Sequence, residues 1–570
     1  MSNMLIKRKH TKYLLPALMI FAVSCTKSFL DINTDPNNPT KLEVSKLLPL
    51  IERNIGDGLA MGSSTGGISQ VLSAYMHQQS TREEQDSYGA RGTNFFIGVA
   101  WPTLYENVLA NLEQVIRDAT AAKNYRYAGI SKVLKAYTAS QLVDIFGDIP
   151  FSEANQLKTG IRYPKFDDDA AIYPQLITLL DAGIADLNNP AANISVPGSD
   201  DVIYGGSVAK WTKAANTIKL KLLVQMRKVK DVKADITALL ADPTKLINAT
   251  NESFLIPYGP NGATDDRNPG YQDYTASQRS THVSPWFYGI LKGYNPTILT
   301  GNPDPRLPFY IYNQLTKTKA PDGQTEYRDS AFVSIYFGSG GPDRDRSQQN
   351  SVSLFGIYPV GGRYDDGAGG VASTTSGTGA APYRLITYAD RLFLEAELIK
   401  DGVIPGNAKT KLSDAVTEAF KQVDYVVTAF VKPTQSVPAV YNAAATSAMS
   451  RYITSMLAEY DAKPTQQLQM IMTQKWLSSV GSSVDQYTDY RRTGFPVLFD
   501  PNNPAMAPGG RVQPPINGDP VGNPGAQPSV PVTLSRPFPL SLPWYQLELE
   551  TNPNAPAQKT PSTYKVFWMP

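Results

Sequence analysis

Residues 125–150 read YRYAGISKVLKAYTASQLVDIFGDIP, and the spacing of their apolar side chains decides the fold class. Tyr127, Ile130, Leu134, Tyr137 and Val143 recur at helical intervals, so one face of a long helix is apolar. The pattern stops at Phe146-Gly147, where glycine suits a helix end, and Pro150 prevents resumption. Upstream, Leu104, Val108, Leu112 and Val115 mark the same kind of face behind Pro102, which suits a first helical turn. Further amphipathic runs fall at about 41–55, 66–79, 169–187 and 208–228. Others follow at 384–400, 407–429, 440–461 and 464–480; in the last, Leu468, Met472, Trp476 and Val480 recur every four residues. Moderate helices joined by short turns are the habit of antiparallel helix pairs. No strict period emerges, so the scaffold is tetratricopeptide-like rather than a regular repeat.

Between about 243 and 383 the composition changes: Gly, Pro, Asn, Asp and Ser crowd in, with short β-like runs such as 331–337. Twelve prolines lie between Pro501 and Pro543, which excludes helix and central strand there. The expected fold is mainly α: a helical scaffold over about 41–242 and 384–490, an irregular loop-rich subdomain with minor β-hairpins over about 243–383, and an extended carboxyl segment over about 491–570. Stacked helix pairs each add a layer of core, so residues 41–570 are expected to form one domain.

At the amino end, Lys7, Arg8, Lys9 and Lys12 precede an apolar run from Tyr13 to Val23. That run is about half of the ~20 residues a membrane span requires, so it reads as a secretory signal, residues 1–24. Ala22-Val-Ser-Cys25 at its end resembles a bacterial lipobox, in which the Cys25 sulfur carries a diacylglycerol. Residues 25–40 then form a polar, turn-rich tether. Cys25 is the only cysteine, so no internal disulfide exists. Without the signal the chain has 49 basic and 51 acidic side chains, a balance that asks for no nucleic acid.

Catalytic patterns find no support. Gly62-Ser-Ser64-Thr-Gly66 has the outline of a nucleophile elbow but follows helix-like sequence and lacks a placed histidine, so it reads as a turn between helices. Ser207-Val-Ala-Lys210 matches S-x-x-K without its companion motifs. Glu395 with Glu397, and Asp485 with Asp489, are expected on solvated charged faces rather than as an acid/base pair. Asp31-Ile-Asn-Thr-Asp35 fails as a calcium loop because Pro36 and Leu42 stand where glycine and glutamate are needed. No catalytic residue, metal ligand or cofactor is assigned.

Several blocks taken in order resemble the SusD/RagB family of nutrient-binding outer-membrane lipoproteins. They are Asp31–Pro39 (DINTDPNNP), Trp101–Leu112 (WPTLYENVLANL), Asp144–Glu153 (DIFGDIPFSE), Asn302–Leu307 (NPDPRL), Thr387–Glu397 (TYADRLFLEAE), and Gln474-Lys-Trp476 with Asp489–Pro496 (DYRRTGFP). The resemblance implies a non-enzymatic receptor, lipid-anchored to the outer membrane and facing outward. Such a receptor captures a glycan or peptide and passes it to a TonB-dependent barrel of the SusC type. The acidic cluster that often accompanies surface export is missing from residues 26–30. A surface glycan hydrolase and a protein-binding helical scaffold are the alternatives. A sugar offers apolar C–H faces and a rim of hydroxyls, so its site needs flat aromatics beside amide or Arg donors. Two stretches have that make-up. One carries Tyr75, Gln78, Arg82, Tyr88 and Trp101. The other carries Arg279, Trp286 and Tyr288, in the subdomain where the family tends to place its ligand face. Trp101 and Trp286 are also candidates for core, and Trp476, on its apolar stripe, is assigned to the core.

Overall fold

The computed structural model describes residues 42–498 and 536–570, less positions 63, 79–84, 192, 260–264, 276–278, 280, 323–325 and 340–348. Cys25, the signal, the tether, Arg82 and most of the proline-rich run lie outside the described residues.

The chain is helix-rich, as expected. The first layers are α1 (Val44–Leu59), α2 (Thr65–Leu72), α3 (Phe95–Pro102), α4 (Ala110–Ala121), α5 (Tyr125–Phe146), α6 (Asp169–Leu187), α7 (Val208–Met226) and α8 (Lys233–Leu240). A short α9 (Pro285–Leu291) belongs to the irregular region. Helix then returns as α10 (Tyr388–Lys400), α11 (Ala408–Tyr425), α12 (Ala448–Ala462), α13 (Gln467–Ser478) and α14 (Val484–Thr493), with α15 (Gln546–Thr551) near the chain end. Helices adjacent in sequence pack on one another: α4 on α5, α5 on α6, α6 on α7, α10 on α11, and α11 on α12. Strands among the described residues form five two-stranded pairs, most of them drawn from the irregular region.

Among the boundaries that differ from the sequence reading, α12 starts at Ala448 rather than 440, and three others have a clear local reason. Pro102 is not in a first turn: the helix starts behind the Asn94 cap, whose Oδ1 accepts from Phe96 N at 3.0 Å, and Pro102 closes α3. The ladder then loosens into a π-helical stretch, Thr103–Leu109, next to the residue that has no N–H to give. α2 ends at Leu72 because the chain beyond it turns into a strand, Met76–Gln78. α10 begins at Tyr388, not 384, because Tyr383–Ile386 pairs with Phe254–Ile256 and Thr387 closes a capping box with Asp390.

Two apolar cores result. The first gathers α1 to α7 and is completed from the chain's far end by Leu542, Trp544, Val566 and Trp568. The second joins the irregular region to α10–α13, with Trp476 fully buried and its Nε1 donating to Ser73 O at 2.8 Å. Tyr88, Tyr388 and Phe538 pack against both.

The acidic pairs expected on solvated faces are for the most part interior. Glu397 is fully buried between Arg492 (Nη2 to Oε2, 3.0 Å) and Arg227 (2.7 Å). Arg492 continues to Asp489 at 2.8 Å, and Asp489 to Lys475 at 2.7 Å. Glu395, also buried, pairs with Arg391 and, at 2.8 Å, with Lys411. Asp485 meets Lys221 at 2.6 Å. Helical spacing did separate Glu395 from Glu397, but packing on both sides of α10 buries each against its own cations. The same holds for Asp304, which receives the Arg306 guanidinium at 3.0 and 2.6 Å in the core. The blocks at 387–397, 474–476 and 489–496 thus meet through buried ion pairs that tie helices together, and the 302–307 block joins them through the bond from Arg306 Nη2 to Gln474 Oε1 at 3.3 Å.

The catalytic look-alikes are caps. Ser64 is the N-cap of α2, its Oγ accepting from Gly66 N at 3.1 Å, and Ser207 is the N-cap of α7, accepting from Lys210 N. No described helix is long and apolar enough to cross a membrane.

Candidate functional site

The helix stop that decided the sequence reading also builds a large cleft. Gly147 has φ 72°, and a Cβ there would come within 2.5 Å of the Tyr564 ring, so the chain turns sharply. Ile149-Pro150 then pairs antiparallel with Phe166-Asp167 and pinches off the loop between them. The Asp167 carboxylate accepts from Phe151 N at 3.0 Å, Ser152 N at 2.7 Å and Ser152 Oγ at 2.7 Å, while Glu153 accepts from Lys165 N at 3.0 Å. From the far end of the chain, Asn552 Nδ2 donates to Pro164 O at 2.8 Å and Asn554 Nδ2 to Tyr163 O at 2.6 Å. The loop is therefore held at its base and along its rim.

Between this loop, the α3–α4 junction and α15 lies a cavity of about 720 Å³, within the usual ~300–1,000 Å³ of a ligand site. Trp101 forms its floor, stacked on Tyr105 at 4.9 Å and edge-on to Phe146 at 5.0 Å. Tyr105 OH donates to Pro150 O at 2.9 Å; burial, then the charges of Glu548 and Asp167, push its phenol pKa well up. Three large apolar side chains stand open on the walls: Leu157 (69% exposed), Leu547 (51%) and Tyr163 (40%). The Arg162 guanidinium lies 5.3 Å from the Tyr163 ring centre. Asn155, Gln156, Glu106, Glu548 and Thr551 supply the polar lining. Flat aromatic surface beside amides, a guanidinium and carboxylates is the chemistry that holds C–H faces and hydroxyl rims.

Of the eight side chains expected to contact ligand, Arg82 and the Gln78 side chain lie outside what is described, and among the other six Trp101 alone lines this cleft, at 3% exposure. The structure does bring the two predicted stretches together: Met76–Gln78 pairs antiparallel with Thr281–Val283, placing Gln78 opposite Thr281. Their rings, however, face protein. Tyr75 is wholly buried, stacked on Trp476 at 4.7 Å and edge-on to Phe287. Tyr288 stacks on Phe332 at 3.9 Å and donates to Asp329 at 2.9 Å. Arg279 is buried and donates to the carbonyls of Gln349 and Ala372, the latter at 3.0 Å. Tyr88, at φ 61°, wedges between the cores against Phe337 and Phe538. Trp286 is buried but lines a second, smaller cavity. Aromatic residues next to amides describe a core with internal hydrogen bonds as well as they describe a sugar site, and here packing claims most of them. The residues missed were Tyr105, four after Trp101 on the helix, and Arg162-Tyr163, an aromatic–guanidinium pair in a turn of the very make-up that singled out 279–288.

Buried Asp273, beside Arg279, gives a pH test. Burial raises its carboxyl to about 6, against which a Thr281 hydrogen bond and Arg279 work. A carboxyl raised on folding binds its proton more tightly in the native state, so native stability falls as pH climbs from about 4 to about 6. Relative to the parent, Asp273→Asn is expected to gain up to about 3 kcal/mol across that window, read by urea titrations at each pH. A difference that stays flat with pH would contradict the assignment.

Asp148, Asp168 and Asp169 bring carboxylate oxygens within 4.8 Å of one another. Each already accepts backbone N–H groups at the start of α6: Asp168 from Ala170 and Ala171, Asp148 from Asp169, and Asp169 from Phe567.

Comparison with known proteins agrees with the fold. No curated protein matches. Among solved structures, a SusD/RagB family protein from Bacteroides thetaiotaomicron superposes with TM-score 0.64 at 20% identity, covering 93% of this chain and 99% of its own. A chitin-binding protein gives TM-score 0.64 at 19% identity, covering 92% of this chain and 100% of its own. A chitin-binding SusD homolog from Flavobacterium johnsoniae gives 0.57 at 21%, covering 80% and 87%. The family model described as "Starch-binding associating with outer membrane" matches residues 36–514. With that match spanning most of its length, the chain belongs to the SusD-like family.

Proposed function

We propose that this protein is a lipid-anchored, non-catalytic glycan receptor of the outer membrane, held by Cys25, that binds an oligosaccharide in the Trp101–Tyr163 cleft. It hands the ligand to a TonB-dependent SusC-like barrel. One observation carries the reading: in a cavity sized for several sugar rings, the exposed Tyr163 face stands beside Arg162, Asn155 and Gln156. The family description, starch binding with outer-membrane association, supports the ligand class and the location. Two of the structural relatives are chitin-binding proteins, which adds chitin to the candidates.

The test is calorimetric titration of the purified protein with maltooligosaccharides and chitooligosaccharides, with the sugar recovered afterwards for chromatography. Binding of at least one series without shortened products is expected. Tyr163→Ala truncates a side chain that stands 40% exposed and leaves the backbone bond to Asn554 in place, so it should weaken binding about tenfold at little cost in thermal stability. Products that accumulate with time would instead mark Glu106 or Glu548 as acid/base candidates, and unchanged affinity in the variant would move the site elsewhere.

A further inference from the structure

The second cavity, the one that Trp286 lines, lies apart from the cleft. It is enclosed by α9, the turn at 295–298, the start of α13, and Pro496-Val497, and holds about 190 Å³. That is below the ~300 Å³ at which drug-sized sites begin, so it suits one ring rather than a chain. None of its lining side chains is ionisable. Trp286 and Ile290 give it an apolar wall; Asn295, Gln466, Gln469 and Thr473 give it amides and a hydroxyl.

Hydrogen-bond accounting sets these polar groups apart from ordinary core. Asn295 Oδ1 accepts from Thr297 N at 2.9 Å, Thr297 Oγ1 at 2.9 Å and Ile298 N at 3.0 Å. The amide is thereby fixed in orientation, and its Nδ2 is left with no acceptor among the described residues. Gln469 is 7% exposed and makes no side-chain hydrogen bond with the described residues. Gln466 Oε1 is buried and also without a partner among them. Buried polar groups are nearly always paired, with protein, water or ligand. One buried, unpartnered amide oxygen and two further amides with no protein partner among the described residues, around one small cavity, describe a receptor for hydroxyl groups.

We propose that this pocket binds a single uncharged pyranose ring, at a site separate from the cleft. The ring's C–H positions meet Trp286 and Ile290, and its hydroxyls meet Asn295 Nδ2, Gln469 and Gln466 Oε1. A carboxylate or ammonium would have to shed its water with no opposite charge to receive it, so charged sugars are excluded. A pocket of this size takes a monosaccharide or the terminal unit of a chain.

The experiment titrates the full-length protein with glucose, N-acetylglucosamine and glucuronate, followed by calorimetry and ligand-observed NMR. At least one neutral sugar should bind with millimolar affinity, and glucuronate at least about tenfold more weakly. Gln469→Leu keeps the shape and removes the amide; it should weaken the neutral sugar about tenfold or more and leave oligosaccharide binding in the cleft unchanged. Tyr163→Ala should do the reverse. Thr473→Val carries the same test should Gln469→Leu not fold by circular dichroism. The proposal is overturned if neither neutral sugar binds up to about 50 mM, if glucuronate binds equally well, or if monosaccharide binding is lost in Tyr163→Ala but kept in Gln469→Leu. Failure of oligosaccharides to bind while monosaccharides do would refute the cleft reading and leave this one standing.

Discussion

Glu397→Gln is expected to destabilise the protein by about 3–5 kcal/mol, the loss typical of one partner removed from a buried ion pair. Among the described residues Glu397 is the carboxylate that Arg227 and Arg492 share; those two side chains come from the C-cap of α7 and from α14, while Glu397 itself sits on α10. Burial pushes its carboxyl pKa up, but Arg492 and then Arg227 outweigh burial and hold it well below the usual carboxylate range. Because the native pKa is depressed, the stabilisation is present above the unfolded value and fades as pH falls. Urea unfolding at pH 7 should therefore show the full loss, and the gap between parent and variant should narrow below about pH 4.5. A gap that is small at pH 7, or that widens in acid, would refute the assignment.

Trp568→Ala is the second large effect, again about 3–5 kcal/mol, from the cavity left by a large side chain in the first core. Trp568 is fully buried; its Nε1 donates to Asp144 at 3.1 Å and its ring lies 5.0 Å from the Arg491 guanidinium. Asp144, raised to about 6 by burial against the pull of Lys221 and Tyr173, would lose a donor it cannot replace with solvent. The variant should unfold at lower urea and, because α15 walls the cleft, bind oligosaccharide less well even where it remains folded. Normal stability with intact binding would mean that the chain end only rests on the core.

How far the sequence was legible follows from what each signal depends on. Helical periodicity needs only local contrast between faces, and α6 begins and ends where the apolar spacing puts it, at Asp169 and Leu187. Boundaries were displaced where a contact distant in sequence competed, as when pairing with Phe254–Ile256 took residues 383–386 from α10. The resemblance blocks located the fold's joints: Asp144, Glu397 and Arg492 are interior charges whose partners come from other helices, and Arg306 is an interior charge paired within its own block to Asp304. A charge pattern on one helix cannot reveal that, because helical spacing says which residues share a face but not what covers it. The candidate ligand surface was least legible. Tyr75 and Tyr288 share the composition of a sugar platform and are core, while Tyr163 gains its meaning from a strand pair at 149–150 and 166–167 and from a segment nearly 400 residues away.

The strap that ends at Trp568 also governs timing. Synthesis runs from α1 toward Trp568, so the first helices to emerge lack two tryptophans of their own core until the strap has been made. Their assembly is a contact of long sequence separation, and such contacts close late. A protein built this way stays open while it is made. Final folding waits for the strap, which locks the helices and, in the same step, raises the wall of the cleft.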